Sequence, residues 1–438
     1  MILDQTTYHD LSIFHQEMEQ SIFHKIDLTH TVEGRAWLHQ YFKEPFSSLK
    51  KIEDTQNTLQ RLINQIDLWP TSITNGTLMV IEKYFESQID TMPENGHIAN
   101  AWFYKIFHGP DYALTRYSLE HFAAFFRGLQ QLVVIFPVEN RSALTSPLLE
   151  KMERLMKEPL IQAMAAREPQ TLFTPTEVVL YGKFIKEHYK AESLELINLF
   201  GRFDAWQAMA SAMIRYQLSF PEFTESNKPL LEIEQLFHIL LPEAVPYNVH
   251  MNRDSNFIFL TGANMAGKST FIKSVGSAVF LAHLGMGVPA KQMKLSLFDG
   301  LLSNINVVDN IIKGESYFFN EVQRIKNTIL KINNGRKWLV LIDELFKGTN
   351  VQDAMKCSSA VIKGLIKIDN SLFILSTHLY EIGEELKVYP NISFRYFETT
   401  VTDEQLCFSY QLKEGISNDR LGYLILKREK VVELLEQL

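Results

Sequence analysis

The chain has 438 residues, room for two to four domains, and its 46% apolar and 21% charged residues exclude disordered, collagen-like and coiled-coil classes. A net charge of −8 gives no whole-chain sign of nucleic acid, although phosphate contacts need only a local basic face. Two cysteines, Cys357 and Cys407, exclude a disulfide framework or a cysteine-rich zinc site and fit a reducing cytoplasm.

The first basic residue, Lys25, follows Asp4 and Asp10, so no secretory signal is expected and the expected location is cytoplasmic. Trp102 to Phe136 is rich in aromatics, read as a helical core rather than a ligand box. Ser146-Pro147 reads as a helix N-cap followed by proline at the first helical position, with Leu148, Met152 and Leu155 on one face. Glu192 to Arg215 is a long helical candidate. The text changes near 228–245. Beyond residue 250, strand-length apolar runs (Phe257 to Leu260, Trp338 to Ile342, Leu372 to Leu375) alternate with helical stretches, which suggests a largely parallel sheet. Ser274 to Ala290 is uncharged, but its glycines and length fit a buried helix rather than a membrane span.

Each apolar run ends at a polar motif. Gly262-Ala263-Asn264-Met265-Ala266-Gly267-Lys268-Ser269 fits the phosphate-loop pattern, with a strand before it and a helix after it. Its amides would face phosphate oxygens, Lys268 would reach the β- and γ-phosphates, and Ser269 would ligate Mg²⁺. About 75 residues on, Leu339 to Ile342 delivers Asp343-Glu344. Asp343 would hold the same Mg²⁺, and Glu344 would orient or deprotonate the attacking water. His378 follows the third run, at the end that faces a ligand crevice in a parallel sheet, and is expected to contact the γ-phosphate. Gly314-Glu-Ser316-Tyr317-Phe318, followed by Glu321, is either an anion-binding turn or a helix cap.

In this order and spacing the motifs resemble the ATPase domain of the MutS family of DNA mismatch-repair proteins, a branch of the ABC-type ATPases. Thr261 to Thr270 is similar to T-G-P-N-M-G-G-K-S-T, and Asn264-Met265 is unusual among phosphate loops. Gly285 with Val288-Pro289-Ala290, Asp309, Gly314-x-Ser316-x-Phe318, Asp343-Glu344 with Gly348-Thr349 and Asp353, Ser376-Thr377-His378, and the closing Gly415 and Gly422 resemble further family motifs. Upstream, Thr31-Val-Glu-Gly34 and Phe203-Asp204 with its following residues are similar to the helical core and its lever helix. Ala263, Ala266, Tyr317, Asn350 and Ala354 replace more typical family residues. About 25 residues precede the core, so the mismatch-reading domain with its Phe-x-Glu wedge is not expected. Phe223-Thr224-Glu225 matches it in letters only.

The resemblance implies a multidomain α + α/β protein. An extension (1–25) would precede a helical core/lever domain with a shortened or absent clamp (26–235) and an ABC-type P-loop ATPase domain with a largely parallel sheet (236–438). It implies ATP and Mg²⁺ as cofactors, a homodimer through ATPase domains with Ser316 acting in trans, and DNA gripped by structure or backbone. A repair-protein partner is a further expectation; a membrane partner is not. Two alternatives stay open: a nucleotide-gated clamp acting on a protein, and a small-molecule kinase.

Overall fold

The computed structural model describes residues 1–94, 97–305, 317–402, 405–417, 430, 431 and 434. The chain divides into two compact units. One gathers Met1–Lys25, Glu44–Ile52 and Tyr216–Leu438; the other gathers Ile26–Lys43 and Glu53–Arg215. The architecture is multidomain α + α/β, a large helical region followed by a sheet-bearing one.

In the helical unit, Lys190–Arg215 is buried along most of its length and packs on Val32–Lys43. The approach is close because Gly34 lacks a Cβ; one built there would lie 2.1 Å from Asp204 Oδ2. Asp204 is fully buried. Its carboxylate accepts from Thr31 N at 2.9 Å, Thr31 Oγ1 at 2.6 Å and His30 N at 3.1 Å. The long helix thus accepts from the two amides that lead into Val32–Lys43, while Val32 N donates to Asn75 Oδ1 at 2.7 Å and Gly34 N to Thr31 Oγ1 at 3.0 Å. Thr31–Gly34 and Phe203-Asp204, far apart in sequence, are joined by one carboxylate.

The aromatic stretch forms two helices, Ile98–Phe107 and Gly109–Ile135, with Pro110 at the start of the second. The second carries the expected core, including Phe122, Phe125, Phe126 and Leu129. The first does not: it buries Ala101 and Tyr104 and exposes Trp102, Phe103 and Phe107. It is apolar almost all round, so periodicity could not mark its inner face. The next expected helix is Ser146–Leu155, but Thr145 is its N-cap residue, and Ser146 Oγ instead donates to Glu150 Oε1 at 2.7 Å. Leu149, Met152 and Met156 form the buried stripe, with Leu148 and Leu155 half-buried beside it. The expected face is therefore turned by about one residue.

The α/β unit has ten described strands: β1 (Glu222–Thr224), β2 (Leu230–Leu236), β3 (Tyr247–Asn252), β4 (Phe257–Thr261), β5 (Gln292–Ser296), β6 (Gly300–Asn304), β7 (Trp338–Asp343), β8 (Ser371–Ser376), β9 (Ile392–Thr402) and β10 (Gln405–Glu414). They form a four-stranded sheet, β1-β5-β2-β3, and a six-stranded sheet, β10-β9-β4-β8-β7-β6. Every pairing in the larger sheet is parallel except β9–β10. The three apolar runs are its centre, β4, β8 and β7, buried throughout. Side chains alternate between faces. Val340 and Ile342 join the core under Tyr317–Ile332 and Val351–Leu365, while Leu341 meets Gly276 of Lys268–His283. Phe223 lies on β1 with its ring 5.5 Å from that of His283, a packing role.

Residues 1–25 pack within this unit. Ile2 bridges Gly300, and the buried Asp10 accepts from Ser303 Oγ at 2.7 Å and Ile305 N at 2.9 Å. Among the described residues no helix is long and apolar enough to cross a membrane.

Candidate functional site at the ends of β4, β7 and β8

Parallel register brings three strand ends level: Leu260 pairs with Ser376, and Ser376 with Asp343. The chain leaves β4 through the glycine-rich loop and enters the helix Lys268–His283. Gly262 and Gly267 have φ of +143° and +107°, regions closed to most side chains. Met265 takes φ +66° without being glycine and stays exposed, and Ala266 is buried. No side chain caps the Lys268 helix, so its first amides keep no side-chain acceptor. Amides of this kind at a helix N-terminus can receive an anion.

Lys268 Nζ turns back to the loop, donating to Gly262 O and Ala263 O at 2.9 Å each. Burial pulls its pKa below the usual lysine value, opposed by the charges of Glu344 and Asp343. Ser269 Oγ donates to Asp343 Oδ2 at 2.5 Å, and Ser376 Oγ donates to Asp343 Oδ1. A hydroxyl beside a carboxylate is a hard oxygen set of the kind Mg²⁺ accepts.

Glu344 follows Asp343 with φ +61°, another non-glycine residue in the left-handed region. Its Oε1 lies 3.1 Å from His378 Nε2 and its Oε2 lies 3.3 Å from Lys347 Nζ. Burial alone would raise its pKa. The His378 hydrogen bond and the Lys347 charge outweigh burial and hold it at about 2. His378 Nε2 is also 3.2 Å from Lys268 Nζ. One ring nitrogen cannot both accept from Lys268 and donate to Glu344, so its proton links the two sites.

The loop after Glu344 is held by Glu321, whose Oε1 accepts from Lys347 N at 3.0 Å and Oε2 from Gly348 N at 3.2 Å. A Cβ on Gly348 would lie 2.7 Å from both Phe318 N and Tyr317 Cδ1. The bulky Tyr317 therefore fits because residue 348 is glycine. Asn350 Oδ1 caps the next helix by accepting from Asp353 N at 3.0 Å.

A cavity of about 460 Å³ opens over the loop, lined by Asn264, Met265, Lys268, Ser269, Thr270 and Glu344. Its other wall is Leu241, Val245, Tyr247 and Tyr410. The structure thus brings together Gly262 to Thr270, Asp343, Glu344 and His378. Ser316 lies outside the described residues, as do Asp309, Gly314 and Gly422. Sequence reasoning missed Lys347, Ser376 as a partner of Asp343, and the two tyrosines. Tyr247 and Tyr410 meet only through the fold; Lys347, three residues after Glu344, was within local reach.

Residues 258–433 match the family model for MutS domain V. Over 231 residues the chain is 30% identical to the DNA mismatch repair protein MutS of Pseudothermotoga lettingae, covering 52% of this chain and 28% of that protein. It is 30% identical over 254 residues to the DNA mismatch repair protein MSH3 of Candida glabrata (56% and 24%). It is 29% identical over 247 residues to the MutS protein of Thermotoga maritima (56% and 30%). The chain is homologous to the MutS family. It spans less than a third of the length of these curated relatives.

Proposed function

We propose that the chain binds and hydrolyses ATP with Mg²⁺ on a P-loop of ABC type, and that the nucleotide cycle moves a helical core/lever domain acting on DNA. The observation that carries this reading is the Ser269–Asp343 pair gathered with the Lys268–His378–Glu344 contacts at three level strand ends. Ser269 and Asp343 would hold Mg²⁺, which when bound neutralises phosphate charge. Gly262 to Thr270 would wrap the phosphates by backbone amides. Lys268 would exchange its two loop carbonyls for phosphate oxygens. With Lys268 turned to phosphate, His378 Nε2 is free to donate to Glu344 or to the γ-phosphate. Glu344, ionised and lining the cavity, would orient the attacking water or take its proton. Tyr247 and Tyr410 stand where a base could stack.

The domain assignment (26–235 as core/lever, 236–438 as ATPase), the dimer through ATPase domains with Ser316 in trans, the cytoplasmic location and the repair-protein partner are part of this proposal. The relatives' names support DNA as the substrate. The exposed apolar helix Ile98–Phe107 favours a second reading, a nucleotide-gated clamp that grips protein, because such a face cannot neutralise phosphates.

Phosphate release is measured with the chain alone and with homoduplex, mismatched, branched and single-stranded DNA. Stimulation by one form supports the DNA-coupled ATPase. A flat response with hydrolysis intact selects the protein-directed clamp, and no phosphate release in any condition removes the ATPase reading.

A further inference from the structure

Two residues between β7 and the helix Val351–Leu365 hold left-handed backbone without being glycine: Glu344, at φ +61°, and Phe346, at φ +59°. A Cβ makes that conformation costly, so such residues persist only where their surroundings fix them. Three contacts do so here. Glu344 N donates to Ser376 O at 3.0 Å. Phe346 is buried, with its ring 5.7 Å from that of Phe318. Lys347 N and Gly348 N both donate to the Glu321 carboxylate, at 3.0 Å and 3.2 Å. The first contact fixes the strand end. The other two come from one helix, Tyr317–Ile332.

Packing alone does not account for Glu321. The buried positions of its helix are Glu321, Ile325, Thr328 and Ile332, and both isoleucines share an apolar core with Val340 and Ile342 of β7. Glu321 is the one charged residue among them, and it is 4% exposed. A carboxylate there gives up its water, a cost that an apolar side chain would not carry. What the carboxylate does, and an apolar residue could not, is accept from two successive amides at once. The first of them belongs to Lys347, whose ammonium lies 3.3 Å from Glu344 Oε2. The Glu344 carboxylate lines the cavity and lies 3.1 Å from His378 Nε2.

We infer that Glu321 is a positioning residue for Glu344: by holding the Lys347 and Gly348 amides it keeps the left-handed loop turned so that the Glu344 carboxylate faces the cavity. The inference rests on the ATPase reading above and deepens it by naming what sets the water-facing group in place. Lys268 and Ser269 stand on the helix Lys268–His283, and Asp343 ends β7, so none of the three is placed by this loop. Loss of Glu321 therefore acts on the rate and spares nucleotide binding.

The test is a double-mutant cycle on the whole chain with Mg²⁺ and ATP. It reads single-turnover phosphate release and ATP affinity, each per nucleotide-binding molecule. Glu321→Ala is expected to slow release about 10–100-fold, the scale of a misplaced catalytic group, with ATP affinity within about twofold of wild type. Glu321→Gln keeps the size and one acceptor oxygen. It is expected to slow release about three- to tenfold, and it carries the test if Glu321→Ala does not fold. In a Glu344→Gln background either substitution is expected to change the residual rate by less than about twofold, because nothing is left to position. A role in packing alone would add in full to Glu344→Gln. Full additivity, a wild-type rate in either folded Glu321 variant, or a loss of ATP affinity equal to the loss of rate overturns the inference and leaves the ATPase reading standing. A wild type that releases no phosphate overturns that reading and the inference with it.

Discussion

Asp204 and Asp343 are both buried carboxylates, 0% and 8% exposed, with every visible donor coming from the chain itself. Their donors differ. Asp204 takes two backbone amides, the Thr31 hydroxyl and the His30 ring nitrogen from the chain entering a helix, and the amides are fixed once the helix forms. Asp343 takes two side-chain hydroxyls, Ser269 and Ser376, at the mouth of a cavity whose wall includes Ser269. Hydroxyls can rotate away and, with their lone pairs, share a cation. Burial of an acid does not by itself mark a site; what binds it, and whether those partners can turn to a ligand, does.

The sharpest test of the Asp343 side is its neighbour. Glu344→Gln keeps the shape and removes the charge, so ATP binding should persist while turnover falls about 10²–10⁴-fold. Single-turnover phosphate release and nucleotide titration separate the two effects. A rate within a few-fold of wild type would break the comparison at its functional end.

On the structural side, Asp204→Ala leaves the Thr31 amide and hydroxyl and the His30 amide without their acceptor. A loss of about 3–4 kcal/mol in urea-unfolding stability is expected, with turnover per folded molecule unchanged. Asp343→Asn should do the reverse, losing Mg²⁺-dependent turnover with little loss of stability. If both acids behave alike, the distinction fails.

Acid should also act through folding. His283 and His238 are buried and their pKa values are pushed down to about 4 by loss of water; Phe46 O, accepting from His283, opposes this for the former and Lys273 adds to it for the latter. The unfolded chain binds protons first, so this stability is full above about pH 6.5 and is lost as pH falls toward 4. The upper limit is about 3 kcal/mol per histidine. Denaturation midpoints at pH 7 and pH 5 check it, and His283→Gln should flatten the slope.

The smallest effect is expected in the loop after Glu344, where Gly348 packs on Tyr317 and Phe318. Gly348→Ala would press a methyl group on Phe318 N and the Tyr317 ring. A stability cost of about 1–3 kcal/mol is expected, with turnover reduced because the Lys347–Gly348 amides leave Glu321. Unaltered melting and turnover would show that this packing has no role.

Much of the site was legible because it is local. Phe257–Leu260, Trp338–Ile342 and Leu372–Leu375 each run straight into their polar residues, so strand and motif point to one another. The other wall was not legible: Tyr247, on β3 of the smaller sheet, and Tyr410, on β10 of the larger, stand 163 residues apart in sequence and line one cavity. Asp204 was visible as part of a motif, but its partnership with Thr31 needed the helix pair. Nor could the text separate the Ile98–Phe107 helix from the buried Gly109–Ile135 helix, since both are aromatic and only packing decides which is covered. The packing of residues 1–25 through Asp10 depends on β6, some 290 residues away, which no local pattern reveals.

The most direct measurement is calorimetric titration of ATP into wild type and Asp343→Asn, each with and without Mg²⁺. Mg²⁺ should tighten ATP binding to wild type at least tenfold and leave Asp343→Asn unaffected, with both proteins equally folded. Equal tightening in both would contradict a cation site built on Ser269 and Asp343.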